Sequence, residues 1–320
     1  MTYNVPSPVV RIQVWGAAYV YYKHSGRFSI GGLTIGALVG CSAASILGYL
    51  YARGSVLIDD ERFAVLATVA FGAAIGACTG YGLIWGKVRN QRANVVIQAA
   101  ASLLGLYLSW AVWVDVVFQR DHVENPGWAE FAKNPGILWR AVSYINQYGT
   151  WSLGKGDATK GFELWLVWGA EAAMVIGISM FVGYEVLRRH AFCERCESWC
   201  RRGAKLLLSS PHNVTLLKRQ LESNDWKSLE TLTAGNKGAD HLAITLDSCE
   251  QCGQLHTMSM THTAVFRNKL RQTKVRNTNV IQHLLIGPAQ AETLRQLSTK
   301  ITQAGRIAAP QANAAASSRR

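Results

Sequence analysis

Apolar residues are unevenly spread along this chain. Four stretches, 31–52, 63–86, 94–118 and 162–187, are almost continuously apolar and contain no Lys or Arg. A helix of roughly 20 residues rises ~30 Å, enough to cross the hydrocarbon core of a bilayer. Crowded between residues 31 and 187, the four leave too few amphipathic elements to cover them as core helices of a soluble protein, so four transmembrane helices are expected. The pattern changes after residue 187. Residues 214–233 read as one or two helices, while 255–266 and 278–286 alternate with a period of two, as strands do. Pro288 then opens a short helix over 289–302, and the tail AAPQANAAASSRR reads as disordered. Ahead of the first span, VVRIQVWGAAYVYY is too short to cross and is expected to lie at the interface.

Small residues recur at every fourth position of the first span. Gly32, Gly36, Gly40, Ala44 and Gly48 share one line of a helix, and Gly72, Gly76 and Gly80 repeat the device in the second span. In lipid, small residues matter because they let backbones approach closely. The two lines are therefore expected to zip spans one and two into a tight hairpin. The alternative is an interface between copies of the chain, around a pore.

Charge sets the orientation. The chain carries a net +13, and nearly all of the excess follows the fourth span. Lys87, Arg89 and Arg92 crowd the short second loop, and Arg188, Arg189, Arg195, Arg201 and Arg202 follow the fourth span. The positive-inside rule then puts both termini in the cytoplasm and the 119–161 loop outside. No signal peptide is expected at the start. Within the outer loop, NPGILWRAVSYINQYGTW aligns Leu138, Val142 and Ile145 on one helical face, with Trp128, Trp139 and Trp151 around it. That pattern suits a short interfacial helix folded over the ends of spans three and four.

Of the acids within the spans, Asp115 and Glu163 fall near the outer ends, and Glu185 can pair with Arg188 or Arg189. Glu171 lies about 13 Å inside the boundary by helix rise. Such a group is costly unless protonated or paired, which marks it as a candidate for an ion or proton pathway. As a structural acid it would meet Tyr107, Ser109 or Trp110 on span three.

The strongest chemical pattern follows the membrane segments. Cys193 and Cys196, then Cys249 and Cys252, form two Cys-x2-Cys knuckles that could converge four thiolates on one structural zinc ion. Redox-active dithiols are the alternative, and a disulfide would need an oxidising compartment. Cys200 is the odd thiol, with His190, His212 and His256 as substitute ligands. The spacing between the knuckles exceeds that of a usual ribbon, so an insertion is expected there. Further on, Arg267, Lys269 and Arg271 alternate and would share one strand face, suited to anionic lipid headgroups, an acidic partner or nucleic acid. Nucleic acid is disfavoured, since no aromatic platform or recognition helix accompanies them.

In order, GRFSIGGL, GKVRN, INQYGTW, LWLVWGAEA, FCERCESW and CEQCG resemble a set of uncharacterised bacterial four-span membrane proteins with a C-terminal cytoplasmic domain of two Cys-x2-Cys knuckles. The resemblance runs from residue 25 to about 286 and implies a membrane anchor carrying a zinc-ribbon-like domain, with no activity attached.

The expected fold class is thus an α-helical integral membrane protein with a glycine-zipper first hairpin and a small α+β zinc-ribbon-like domain. The expected divisions are 1–29 (cytoplasmic or interfacial), 30–190 (four-helix membrane domain), 191–288 (zinc-ribbon-like) and 289–320 (short helix and tail). No phosphate loop, nucleophile elbow or His-Glu-x-x-His occurs, so an enzyme is not expected. Two functional readings remain. One is a scaffold of the bacterial inner membrane whose zinc domain binds a cytosolic protein. The other is a small homo-oligomeric channel or transporter with Glu171 in its pathway and the zinc domain as its gate.

Overall fold

Side chains just ahead of three long helices satisfy their first free amides. Ser29 Oγ accepts from Gly32 N at 3.0 Å and starts α1 (Ile30–Ser55). Asp60 Oδ1 accepts from Arg62 N at 2.8 Å and starts α2 (Glu61–Trp85). Asn90 Oδ1 accepts from Ala93 N at 2.9 Å and starts α3 (Gln91–Arg120). Each is an N-cap of the preferred residue type. Two short helices follow, α4 (Trp128–Lys133) and α5 (Pro135–Tyr148), and then α6 (Phe162–Arg188). The computed structural model describes residues 9–14, 17–58, 60–149, 159–236, 238–267 and 272–301. Among these, α1, α2, α3 and α6 are long and apolar enough to cross a membrane. They lie in one compact unit, residues 26–189, while residues 1–25 and 190–320 form another.

The glycine line of α1 packs mainly on α2, as expected, but that of α2 has a different partner. On α1 the buried line is Gly32, Gly36, Gly40, Ala44, Gly48 and Ala52. A Cβ at Gly32 would lie 2.0 Å from the carbonyl oxygen of Gly86, and one at Gly36 would meet Leu83 at 2.3 Å. Gly40 faces Thr79 on α2, whereas Gly48 faces the Gly105 carbonyl on α3. The α2 line turns away from α1 altogether. Gly72 and Gly76 rest on the Val175 and Ser179 carbonyls of α6, and Gly80 on Val186. A helix has more than one face, and Gly82 rather than Gly72, Gly76 or Gly80 meets α1, against Val39. Both lines are filled by the chain's own helices.

Polar side chains lock the third long helix. Asn94 and Gln98 are fully buried on α3. Asn94 Nδ2 donates to the Gly183 carbonyl at 3.1 Å, and Gln98 Nε2 to the Gly76 carbonyl at 3.2 Å. Ser179 Oγ donates to Gln98 Oε1 at 3.1 Å. These bonds reach α2 and α6 at the points where their glycines bring the backbones together.

The amphipathic α5 behaves as its pattern predicts. Leu138, Val142 and Ile145 are buried with Phe131, Val114 and Trp168, and Trp139 stacks on Trp165 at 5.2 Å. Trp151 lies outside the described residues. Asp115, expected within reach of water, is instead only 2% exposed, because α4 and α5 cover that end of α3. Glu185 pairs with Arg188 at 2.7 Å and Arg189 at 3.7 Å.

The other unit is built on a six-stranded antiparallel sheet. Its strands are β1 (Val9–Val14), β2 (Ala17–Tyr22), β5 (Arg201–Ser209), β6 (His241–Ser248), β7 (His256–Arg267) and β8 (Thr273–Ile286), in the order β1-β2-β8-β7-β6-β5. A two-stranded hairpin, β3 (Phe192–Cys193) with β4 (Ser198–Trp199), comes just before β5. Helices α7 (Val214–Glu222), α8 (Lys227–Glu230) and α9 (288–301) complete the unit. The N-terminal stretch, expected as a separate interfacial segment, is a hairpin whose Tyr21 pairs with Leu284. Its β-branched and aromatic residues favour strand over interfacial helix. The domain is also larger than a ribbon. Leu208, Leu242, Ile244 and Met258 of the sheet form one apolar core with Leu217 and Leu221 of α7 and with Leu294. Arg267 ends β7, whereas Lys269 and Arg271 lie outside the described residues.

Candidate metal centre

Two tight turns bring the cysteines together. In the first, Phe192 pairs with Trp199 and Cys193 with Ser198, and the Phe192 and Trp199 rings meet edge to face at 4.9 Å. Tyr22 of β2 holds this turn, its Oη accepting from Phe192 N at 2.9 Å. The second is the β6–β7 turn. Cys249 N donates to Leu255 O at 2.9 Å and Gly253 N to Cys249 O at 3.0 Å. Gly253 has φ +60, a left-handed conformation that glycine adopts without strain.

The sulfurs of Cys193, Cys196, Cys249 and Cys252 all lie within 4.8 Å of one another, and Cys193 Sγ is 3.7 Å from Cys252 Sγ. A tetrahedral ion bonded to sulfur at ~2.3 Å requires sulfurs ~3.8 Å apart. A disulfide would need ~2.05 Å, and all seven cysteines are free thiols. The backbone is arranged alike around both turns: the amides of Arg195 and Cys196 point at Cys193 Sγ, and those of Gln251 and Cys252 at Cys249 Sγ. Amide donors of this kind stabilise a thiolate. Burial works against ionisation of Cys249, but these amides and the neighbouring thiols outweigh it and bring its thiol down to about 6. Burial and the same neighbours push Cys196 up to about 12 and also raise Cys193. Cys249 thus ionises more readily than Cys193 and Cys196, which must lose protons to bind an ion. Its donor set fits a metal ion coordinated by four sulfurs.

The substitute ligands stand apart from this group. Cys200 is buried beside it, and burial pushes its thiol up to about 12. The His190 ring packs against Trp199 at 6.1 Å, and His256 Nδ1 lies 2.9 Å from Ser248 Oγ. Neither they nor His212 join the four cysteines among the described residues.

Glu171 has different partners from those expected. Tyr107 donates to the Ala132 carbonyl at 2.8 Å, Ser109 to the Leu106 carbonyl at 2.8 Å, and Trp110 packs on Trp168 at 4.8 Å. Glu171 Oε1 instead lies 2.5 Å from Tyr51 Oη on α1. Sequence reasoning also passed over Asn94, Gln98 and Tyr22. The spacing of Asn94, Gln98 and Ser102, four apart in an apolar span, was an available signal for a buried polar stripe.

No protein-family model, curated protein or solved structure matches the chain.

Proposed function

We propose that this chain is a four-span protein of the bacterial inner membrane, with both termini in the cytoplasm and a zinc-binding cytoplasmic domain that binds a cytosolic protein. The convergence of Cys193, Cys196, Cys249 and Cys252 carries the reading. A site with four cysteine ligands leaves no open coordination position, which suits a structural ion and an interaction module rather than catalysis. Zinc is the natural occupant of four thiolates arranged tetrahedrally. The sheet adds support for the topology. It takes β1 and β2 from before the four helices and β5 to β8 from after them. That pairing supports a reading with both ends of the chain on one side of the membrane, in keeping with an even number of crossings. The basic loops assign that side to the cytoplasm. Arg267, Lys269 and Arg271 supply positive charge for an acidic partner surface or for lipid headgroups. The channel reading draws less support, since the glycine faces pack within the chain and Glu171 is engaged by Tyr51.

The test is metal analysis of the full chain purified in detergent. About one zinc per chain is expected, lost in Cys249→Ser and retained in Cys200→Ser. A metal-free chain, or equal zinc in the Cys249→Ser protein, would overturn the zinc reading. Labelling of introduced cysteines at residues 120 and 300 in intact cells and everted vesicles tests the topology, and equal access from one side would refute it. Reproducible ion flux through the purified chain in liposomes, abolished by Glu171→Gln, would favour the channel instead.

A further inference from the structure

Three helices meet at one carboxyl group that the metal centre and its domain do not use. Glu171 Oε1 of α6 lies 2.5 Å from Tyr51 Oη of α1. The same phenol oxygen is 2.9 Å from Thr68 Oγ1 of α2, and Thr68 Oγ1 is 3.0 Å from the carbonyl oxygen of Ala64. Phe71 stacks on the Tyr51 ring at 4.6 Å with the planes 5° apart, which fixes the phenol between its two partners.

These contacts form a chain of three, and each needs one hydrogen. Tyr51 supplies one and Thr68 one, while a backbone carbonyl supplies none. If Glu171 were a carboxylate, two hydrogens would have to serve three contacts. Tyr51 would turn to Glu171 and Thr68 to Tyr51, and the Thr68 contact with the Ala64 carbonyl, which already accepts the Thr68 amide within α2, would hold no hydrogen. A carboxylic acid removes the conflict. Glu171 then donates to Tyr51, Tyr51 to Thr68 and Thr68 to the Ala64 carbonyl, so that every contact holds one hydrogen and no group donates twice. A short oxygen–oxygen distance suits an acidic partner in either direction, and the acid fills all three contacts where the carboxylate fills two. The surroundings agree. Tyr51 is the ionisable group that acts on Glu171, α2 offers the uncharged Thr68, and no Lys, Arg or His acts on this carboxyl among the described residues. An unpaired charge among apolar helices is costly, and a proton removes it.

We propose that Glu171, Tyr51 and Thr68 form a proton-binding site, and that its bound proton completes the hydrogen-bond chain joining α6 to α1 and α2. The ligand is the proton itself. Its loss turns the donor of Tyr51 toward Glu171 and that of Thr68 toward Tyr51, which leaves the third contact of the chain without a hydrogen.

Infrared spectroscopy of the full chain in lipid nanodiscs reads the proton directly. At neutral pH, the wild-type spectrum should contain a protonated-carboxyl stretch that is absent from Glu171→Gln. Gln can both donate and accept, so that variant keeps the chain of bonds and should fold. In the unaltered protein, carbon-13 labelling of glutamate should shift the same band downward, which separates it from the buried Asp115. Tyr51→Phe should move it to higher frequency, because the acid loses its acceptor. If wild type and Glu171→Gln differ only in carboxylate stretches at neutral pH, the proposal fails. It fails equally if the protonated band ignores glutamate labelling.

Discussion

Adding one methyl group at Gly76 should separate two helices, whereas the same change at Gly177 should do nothing harmful. A Cβ at Gly76 would lie 2.5 Å from the Ser179 carbonyl oxygen and 2.9 Å from its Cα. Both are backbone atoms, so no rotamer change can relieve the clash, and α2 and α6 must part by roughly 1 Å to restore ordinary contact. Overpacking of this kind costs about 1–3 kcal/mol. The separation also strains Gln98, which bonds the Gly76 carbonyl at 3.2 Å and Ser179 at 3.1 Å, and each such bond contributes ~1 kcal/mol. Against this, alanine is favoured over glycine within a helix by at most ~1 kcal/mol. Gly76→Ala should therefore destabilise the bundle by roughly 2–4 kcal/mol. Gly177 sits on the same α6 with nothing within 4 Å of a Cβ, so Gly177→Ala should be neutral or mildly stabilising. Reversible unfolding in mixed detergent micelles, followed by tryptophan fluorescence, measures both. Equal stability of the two variants would refute the close approach of α2 and α6.

Metal binding should release protons, because Cys193 and Cys196 are held protonated while Cys249, at about 6, is largely a thiolate at pH 7. Affinity should accordingly fall as pH falls, and zinc titration in weakly buffered solution should acidify it; no acidification would contradict the thiol assignments. Chelation should loosen 192–200 and 249–255 in hydrogen exchange while the sheet core stays protected, whereas Ile244→Ala, at a position 1% exposed, should cost about 2–5 kcal/mol across the whole sheet. Exchange that rises uniformly on chelation would show that the ion, not the core, holds the domain. Tyr22→Phe leaves the Phe192 amide without its 2.9 Å partner and should weaken the first turn by about 1–3 kcal/mol. Unchanged exchange at Phe192 would refute that role.

The four long helices and the two knuckles were legible because each rests on a local signal. Apolar length defines the first, and Cys-x2-Cys spacing the second. The β7 and β8 strands announced themselves by alternation, and α5 by the face of Leu138, Val142 and Ile145. The partners of these elements were not legible, because pairing is non-local. Gly76 carries no mark in the sequence that selects α6 over α1; that choice depends on which face Gly82 presents to Val39. The same holds for Glu171, whose partner Tyr51 lies 120 residues away. The strand β5, with its basic start at Arg201 and Arg202, was hidden in what read as a spacer between knuckles. Its Leu206 and Leu208 acquire meaning only beside β6. The long spacing between knuckles announced an insertion, but not that the insertion brings its own core.

The sheet joins the first strands made to the last. Tyr21 emerges from the ribosome roughly 260 residues before Leu284, and at ~5–20 residues per second that interval lasts on the order of 10–50 seconds. Throughout it, the β1–β2 hairpin has an open edge with no β8 to cover it, while α1, α2, α3 and α6 are being made. An open strand edge invites pairing with other chains. Chains truncated before residue 273 would keep that edge permanently, as β8 is missing. Pairing of Tyr21 with Leu284 thus waits on synthesis of β8, and until then the hairpin edge is where an unfinished copy is open to pairing with other chains.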